Sequence, residues 1–440
     1  MCSLLVSRQS VTTRNQASSV NLRCMTTIPP LEEIDLSGME FWELDQASRA
    51  EVFRQFRASD PFPFFEEPEN PIGPDGPGYY VLTRHADVIA ASKNPELFCS
   101  GKGATGPLDL SEEVNDFFGS MINMDDPRHK RLRGLVAAGF TPRQLERAMG
   151  AVEQAGIELA ADLREKGQFD FVQDYAAPLP LRIICDMMGV PESERAFVLE
   201  QSNVILGASD PEFAGPDDDL LSMVLNAGLG LSTLMGELGA ARLAKPTDDL
   251  TSALMTAELD GERLTEQELA SFFILLLVAG NETTRNAISW GLHFLTEHPE
   301  QRDAWANDFD AIAPTAVEEI VRLASPVISM RRTVTQDGAE LGGRTWSEGD
   351  KLILSYWAAN RDEAVFEDPL RFDLRRKDNN QVGFGAPGPH FCLGAHLARR
   401  EITVAFRELF RQVPTIHSTG DPAVLRSSFI NGVKRLPASI

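Results

Sequence analysis

The five cysteines, Cys2, Cys24, Cys99, Cys185 and Cys392, are widely scattered and include no CxxC pair. That excludes a disulfide framework and a zinc knuckle, and it points to a reducing compartment, read here as the cytoplasm. No apolar run approaches the ~18 uninterrupted residues of a membrane span, "FFILLLVAG" being too short. Positive charge is scarce: 41 Lys and Arg stand against 65 Asp and Glu, a formal net charge of -24, which argues against a nucleic-acid-binding surface. Nothing repeats at a fixed period, so a solenoid is excluded. No GxGxxG follows a strand pattern, since "GLGLST" lacks the third glycine.

The chain does have 440 residues, 43% of them hydrophobic, enough for a sizeable core. Residues 1–24 carry Arg8, Arg14 and Arg23, many Ser and Thr, and no acid. That composition suits a transit peptide or, the reading taken here, a disordered extension before a folded domain of residues 25–440. Strand patterns are few, with "GYYVLTRH" early and "KLILSYW" late. Between them the pattern is helical. Asp126 with Pro127, and Thr141 with Pro142, have the form of a cap followed by proline at the first helical position. The longest helix is expected from Thr265, whose spacing to Glu268 is that of a capping box, to His298-Pro299. It runs over about 45–50 Å at 1.5 Å per residue, and its middle is apolar on every side. These features give a single mainly α-helical domain with a small β-sheet, built around one long central helix.

Chemistry-bearing residues interrupt that pattern at a few places. Gly280 sits in the central helix where it costs about 1 kcal/mol relative to alanine. Glu282 and Thr283 follow among aliphatics, with Thr283 on the face of Ala279 and Gly280. A packing notch with a locally bonded hydroxyl explains this as well as a ligand cavity with a proton-passing pair does. Glu319 and Arg322 lie three apart on a helix that ends before Pro326, among Val317, Ile320, Val321 and Leu323, and Arg371 can complete a partly buried cluster. His129 and Arg133 share a helix face and await an anion.

The stretch "FGAPGPHFCLGAHLARRE" fixes its backbone with Gly385, Pro387, Gly388 and Pro389 around Cys392 and then starts a helix. Zinc needs three or four ligands, and His390 with Cys392 offers two. A nucleophilic cysteine needs a base and an oxyanion site that no motif supplies. Haem needs one strong axial ligand. A thiolate at a helix start is stabilised by free N–H groups, and glycines let a backbone approach a porphyrin closely.

"FGAPGPHFCLG" resembles the haem-thiolate signature of the cytochrome P450 monooxygenases, from Phe384 through Cys392 to Gly394. "AGNET" resembles the family's oxygen-activating motif, and Glu319-x-x-Arg322 with Arg371 its Glu-Arg-Arg triad. The likeness covers the chain from about Met25 onward. It implies the P450 fold, haem b with Cys392 as metal ligand, and a haem site that also includes Ala279, Phe384 and Gly394. His129, Arg133, Arg332 and His390 would meet the propionates. Thr283 and Glu282 would be the catalytic pair. Val278, Val327, Ile328, Phe429 and Ile430 fall where the family lines its substrate pocket.

Longer spans such as "LPLRIICDMMGVP" and "ASFFILLLVAGNETTRNAISWG" are similar to actinobacterial lipid and steroid hydroxylases, nearest to the methyl-branched lipid omega-hydroxylases of mycobacteria. The cysteine loop is one residue longer than the common spacing, as in that group. Pro387, Pro389 and His396 depart from the expected Gly, Ala and Asn. The likeness implies a monomer that hydroxylates the terminal carbon of an apolar lipid with O2, using electrons from a ferredoxin and ferredoxin reductase. The ferredoxin would dock near Arg399, Arg400, Lys130 and Arg143. Steroid or terpenoid hydroxylation is the alternative within the same chemistry. A non-turnover haem sensor or carrier is the alternative outside it, and the Glu282-Thr283 pair speaks against that.

Overall fold

The computed structural model describes residues 28–68, 76–139, 142–215, 218–259 and 261–440. The expected extension 1–24, the boundary at Met25 and the Thr141 cap lie outside the described residues. The expected capping box is present: the Thr265 side chain accepts from the Glu268 N–H and the Glu268 carboxylate accepts from the Thr265 N–H, at 3.1 and 2.9 Å. From there the helix runs Glu266–Glu297, 32 residues, to a cap at His298. Its apolar girth has the expected consequence, with Phe273, Leu277, Ile288 and Leu295 fully buried.

Two apolar bodies surround it. One joins the C-terminal half of the helix to helices Pro142–Leu163, Phe309–Ala324 and Ala395–Gln412 around Trp305, Phe406 and Ile320. The other joins its N-terminal half to helices Pro178–Met188, Arg195–Gly207 and Leu220–Ala244 around Phe272, Met188 and Leu231. The two halves of one helix thus serve two apolar bodies.

The two strand patterns become Tyr79–Leu82 and Lys351–Ser355, parallel neighbours with Leu352 opposite Tyr80. They belong to a five-stranded sheet with Phe64–Phe65, Ser329–Val334 and Phe98–Cys99. The strand Ser329–Val334 escaped the sequence reading, because its arginines hide the alternation. Those arginines are buried. Arg331 donates to the carbonyls of Pro107 and Leu108 at 3.2 Å and to Asp109 at 2.7 Å, and Lys351 donates to Glu67 and to the Pro107 carbonyl. The sheet thereby holds the segment 104–110 across the molecule.

Asp126 caps as expected, accepting from the Lys130 N–H at 3.1 Å, but the helix Arg128–Gly139 begins after Pro127 rather than at it. One helix among the described residues, Leu220–Ala244, is long and apolar enough to cross a membrane by length and composition, which the sequence reading missed. It packs on the central helix and on Arg195–Gly207, with Leu231 and Met235 in the apolar body, while Leu229 and Leu243 are exposed.

Candidate active site

The cysteine loop owes its shape to two glycines and a few backbone bonds. Gly385 has φ +81°, a left-handed conformation that costs other residues about 1–2 kcal/mol. A Cβ on Gly388 would lie 2.3 Å from the Ser92 carbonyl oxygen, so only glycine lets the loop pass this close to helix His85–Lys93. The Cys392 N–H donates to the Phe384 carbonyl at 3.0 Å, closing the loop, and the Arg399 guanidinium lies 4.3 Å over the Phe384 ring. Ala395 then opens the helix Ala395–Gln412.

Enclosure pushes the Cys392 thiol up, while the N–H groups of Gly394 and Ala395, aimed at the sulfur, and the charges of Arg133 and Arg399 pull it down. A bound metal decides that contest, because a coordinating thiol is deprotonated outright. Phe391 and Leu393 flank the cysteine and are 38% and 37% exposed, large apolar side chains turned outward at a half-buried position.

Four of the expected residues converge beside this loop. The rings of His129 and His390 lie 4.3 Å apart, and the Arg133 guanidinium donates to the Phe391 carbonyl at 2.7 Å. Buried Arg332 donates to the Arg331 carbonyl. Burial, then Arg332, His129 and Arg133, hold His390 down at about 3. Burial and then Arg133 lower His129, against the opposing Asp126. Its Nε2 is buried with no hydrogen-bond partner. Two guanidinium cations, Arg133 and Arg332, and an orphaned imidazole nitrogen fit an anionic ligand, and one soft sulfur fits one axial bond to a metal. Among the described residues no group of three His, Cys, Asp or Glu can hold a metal ion by itself. The donor set suits a metal that brings its own equatorial ligands and carries anionic substituents, as the haem implied by the sequence resemblance does.

The central helix presents an accessible stripe of its own. Ala279 is exposed and Leu275, Leu276, Gly280 and Thr283 are half-buried, in the middle of a helix otherwise buried on both sides. The positions 275, 279 and 283 repeat every fourth residue, one helix face. Leu275 and Leu276 were missed, though this period alone points to them. The Thr283 hydroxyl donates to the Ala279 carbonyl at 2.9 Å, so it is locally bonded, and it stays accessible on the stripe. Gly280 packs against Ile184 of the neighbouring helix, a Cβ there meeting it at 3.4 Å.

Glu282, as its helix position requires, lies off this stripe. Its buried carboxylate accepts from Arg285 and, at 3.1 Å, from Asn286 on the adjacent face, because successive helical residues are turned by about 100°. Ile328 is 1% exposed and packs with Phe53 and Trp357, since strand residues alternate faces and its neighbour Val327 takes the other side. Ile430 pairs with Val327 in an isolated bridge and is 2% exposed, so it too is core. Val278 is buried in the apolar body around Phe272. Val327 and Phe429 remain half-buried.

Arg371 is not the third member of the Glu319–Arg322 cluster. Arg322 grips Glu319 with two bonds of 2.8 Å, and Arg376 closes the other side at 3.1 and 3.2 Å. Arg371 supplies only its carbonyl, to Arg322 and Arg376. Phe372 and Leu374 are pulled into the core, which turns Arg371 outward. Glu401, unremarked in the sequence, is buried on the face of the cysteine helix that meets the central helix, bonded to Thr284.

The expected docking cations are largely neutralised. Arg399 pairs with Glu318 and Arg400 with Glu153, while Lys130 is exposed and the Arg143 side chain lies outside the described residues.

Comparison with known proteins matches this geometry. Residues 236–422 match the family model for Cytochrome P450. The chain is 48% identical over 413 residues to a methyl-branched lipid omega-hydroxylase of Mycobacterium tuberculosis, covering 93% of this chain and 95% of that protein. It is 36% identical over 388 residues to a steroid C26-monooxygenase of Mycolicibacterium smegmatis, covering 87% and 88%. A Mycobacterium marinum cytochrome P450 solved with pseudoionone superposes with a TM-score of 0.87 and 39% identity, covering 94% of this chain and 100% of that one. The fold, the cysteine loop and these relatives together place the chain in the cytochrome P450 family of haem-thiolate monooxygenases.

Proposed function

We propose that this monooxygenase hydroxylates the terminal carbon of a methyl-branched lipid at a haem held by Cys392. The observation that carries the reading is the accessible stripe Leu275–Ala279–Thr283, apolar save one hydroxyl, on a helix whose other faces are buried. When bound, haem supplies the oxygen activation, its thiolate ligand donating electron density that favours O–O cleavage.

The rest is work for this chain's own residues. The N–H groups of Gly394 and Ala395 support the negative sulfur. His129, Arg133, Arg332 and His390 would hold the propionates. Thr283 holds a proton at its Oγ1, released from the Ala279 carbonyl by a small rotation, and Glu282 on the next face replenishes it from solvent. A terminal methyl carries the strongest C–H bonds of an alkyl chain. Attack there requires apolar walls that keep weaker bonds away, and Leu275, Leu276, Val327 and Phe429 have the chemistry for such walls.

O2 and electrons arrive from outside the chain, and a ferredoxin is the expected donor. With Arg399 and Arg400 already paired to Glu318 and Glu153, the docking charge narrows to Lys130 and its neighbours. Turnover with a ferredoxin should fall steeply with salt, and a flat response would point to an uncharged contact.

Optical titration of the purified ferric holoprotein tests the substrate class. A methyl-branched fatty acid should shift the iron from low to high spin and yield a terminal alcohol on turnover. A shift only with a cholestenone-type sterol would move the assignment to steroid side chains, the activity in the name of the 36%-identical relative. Cys392→Ala should lose the red-shifted Soret band of the reduced carbon monoxide complex, and its survival would refute the ligand assignment.

A further inference from the structure

Two buried cations share one face of the five-stranded sheet. Arg331 is 1% exposed and Lys351 2%, and the register that sets Lys351 opposite Thr333 and Ile353 opposite Arg331 turns both the same way. A buried cation needs an anion. Lys351 has Glu67 at 2.7 Å, but the carboxylate that both cations share is Asp109, 2.7 Å from Arg331 and 2.8 Å from Lys351. The Asp109 side chain is 56% exposed and belongs to the crossing segment 104–110, a strap rather than a part of the sheet. The Arg331 N–H holds the start of that strap, donating to the Ala104 carbonyl at 2.7 Å.

The strap leads into the helix Glu112–Gly119, and side-chain amides make the two one piece. Asn123 accepts from the Ala104 N–H at 3.0 Å and donates to the Asn115 carbonyl at 3.3 Å, while Asn115 donates to the Leu110 carbonyl at 3.2 Å. This helix rests on the central helix, where Ser271 donates to the Asp116 carbonyl at 2.7 Å. Ser271 stands one turn before Leu275 on the same every-fourth-residue line, so the helix meets the accessible stripe at its N-terminal end. Its half-buried Phe117 and Phe118 meet helix Leu220–Ala244 at Gly228, where a Cβ would lie 2.7 and 2.8 Å from the two rings. The chain leaves through Ser120, buried at φ +44°, a conformation that residues with a Cβ rarely adopt, and its Oγ has no hydrogen-bond partner. An ionic grip at one end and a strained joint at the other describe a piece built to lift.

Resting on the monooxygenase reading above, we infer that Asp109 is a positioning residue that gates the passage of apolar ligands to the stripe. Paired with Arg331 and Lys351, it keeps the strap and the helix Glu112–Gly119 down on the central helix. Release of that one carboxylate frees the strap, while the cations stay fixed in the sheet and Lys351 keeps Glu67. A clasp that makes no contact with the ligand favours the closed state equally with and without one. Its loss raises the open population in both cases, which speeds entry and exit together and leaves the equilibrium affinity unchanged.

Stopped-flow mixing of the ferric holoenzyme with two probes, and their displacement, read both rates. A methyl-branched fatty acid reports through the shift to high spin. Clotrimazole, a bulky azole, reports through the red-shifted Soret band of nitrogen-bound iron. Asp109→Asn and Asp109→Ala should each raise entry and exit rates about 10-fold, the loss of one charge-assisted bond, with affinity within about twofold of wild type. Asp109→Glu, which keeps the charge, should recover most of the wild-type behaviour. The carbon monoxide spectrum should stay normal throughout. A merely structural ion pair would lower the unfolding midpoint and leave both rates where they are. Wild-type rates in both Asp109→Asn and Asp109→Ala would overturn the gate, and so would weaker affinity without faster entry. If the fatty acid gives no shift with the wild type, the substrate reading fails and the clotrimazole rates decide the gate alone.

Discussion

Arg376 closes on the Glu319 carboxylate at 3.1 and 3.2 Å, opposite the two bonds that Arg322 makes from Glu319's own helix. Asp373 N–H and Asn379 add bonds of 3.0 and 3.1 Å. Glu319 and Arg322 are fully buried, so the carboxylate depends on this complete shell.

Removing Arg376 should therefore matter and removing Arg371 should not. Arg376→Ala is expected to cost about 2 kcal/mol. Arg371→Ala should stay within about 0.5 kcal/mol, since its carbonyl contribution survives substitution. Urea unfolding of the holoprotein followed at the Soret band separates them, and equal losses would restore Arg371 to the cluster.

Gly388→Ala should disable the cysteine loop, because the added Cβ would meet the Ser92 carbonyl at 2.3 Å and both partners are backbone. The expected destabilisation is about 1–3 kcal/mol, with weaker haem retention. Normal retention measured by haem transfer to apomyoglobin would show that the loop can yield.

The Glu401 carboxyl sits against Thr284 in full burial, which raises it from 4.5 to about 8, with the Thr284 hydroxyl opposing. An acid whose folded value is raised binds its proton more tightly folded than unfolded. Its contribution to stability is complete below about pH 4.5 and is lost as pH rises toward 8. Glu401→Gln should remove this slope, narrowing the fall in stability between pH 5 and 8 by on the order of 3–5 kcal/mol. Parallel stability–pH curves for wild type and variant would contradict it.

Thr283→Ala should fold and bind haem normally, since it gives up only a local bond to the Ala279 carbonyl. Product per reductant consumed should drop several-fold as O2 is diverted to peroxide and water. Unchanged coupling would remove Thr283 from the reaction.

Much of this molecule was legible before any coordinates. The central helix follows from a capping box at one end, a His-Pro stop at the other and apolar residues all round, each a local signal. The cysteine loop follows from glycines and prolines that restrict the backbone wherever they occur. Arg376 was not legible, because which of several nearby arginines turns inward depends on Phe372 and Leu374 being drawn into the core. Ile328 and Ile430 were taken for pocket walls because strand faces are assigned only once a sheet has a buried side. A crevice at Glu282 joins residues from helix Arg195–Gly207, the central helix and the strand Val433–Arg435, which no sequence period connects.

By itself the sequence determined the local devices and the chemical identity of the site: a thiol at a helix start, a hydroxyl and an acid in an apolar helix, and imidazoles and guanidiniums for an anion. Tertiary structure alone decided the facing of each side chain. A helix turns by about 100° per residue and a strand by about 180°, so adjacent Glu282 and Thr283 open onto different spaces. Packing against distant elements then leaves Thr283 on the accessible stripe and buries Glu282 at the base of a crevice.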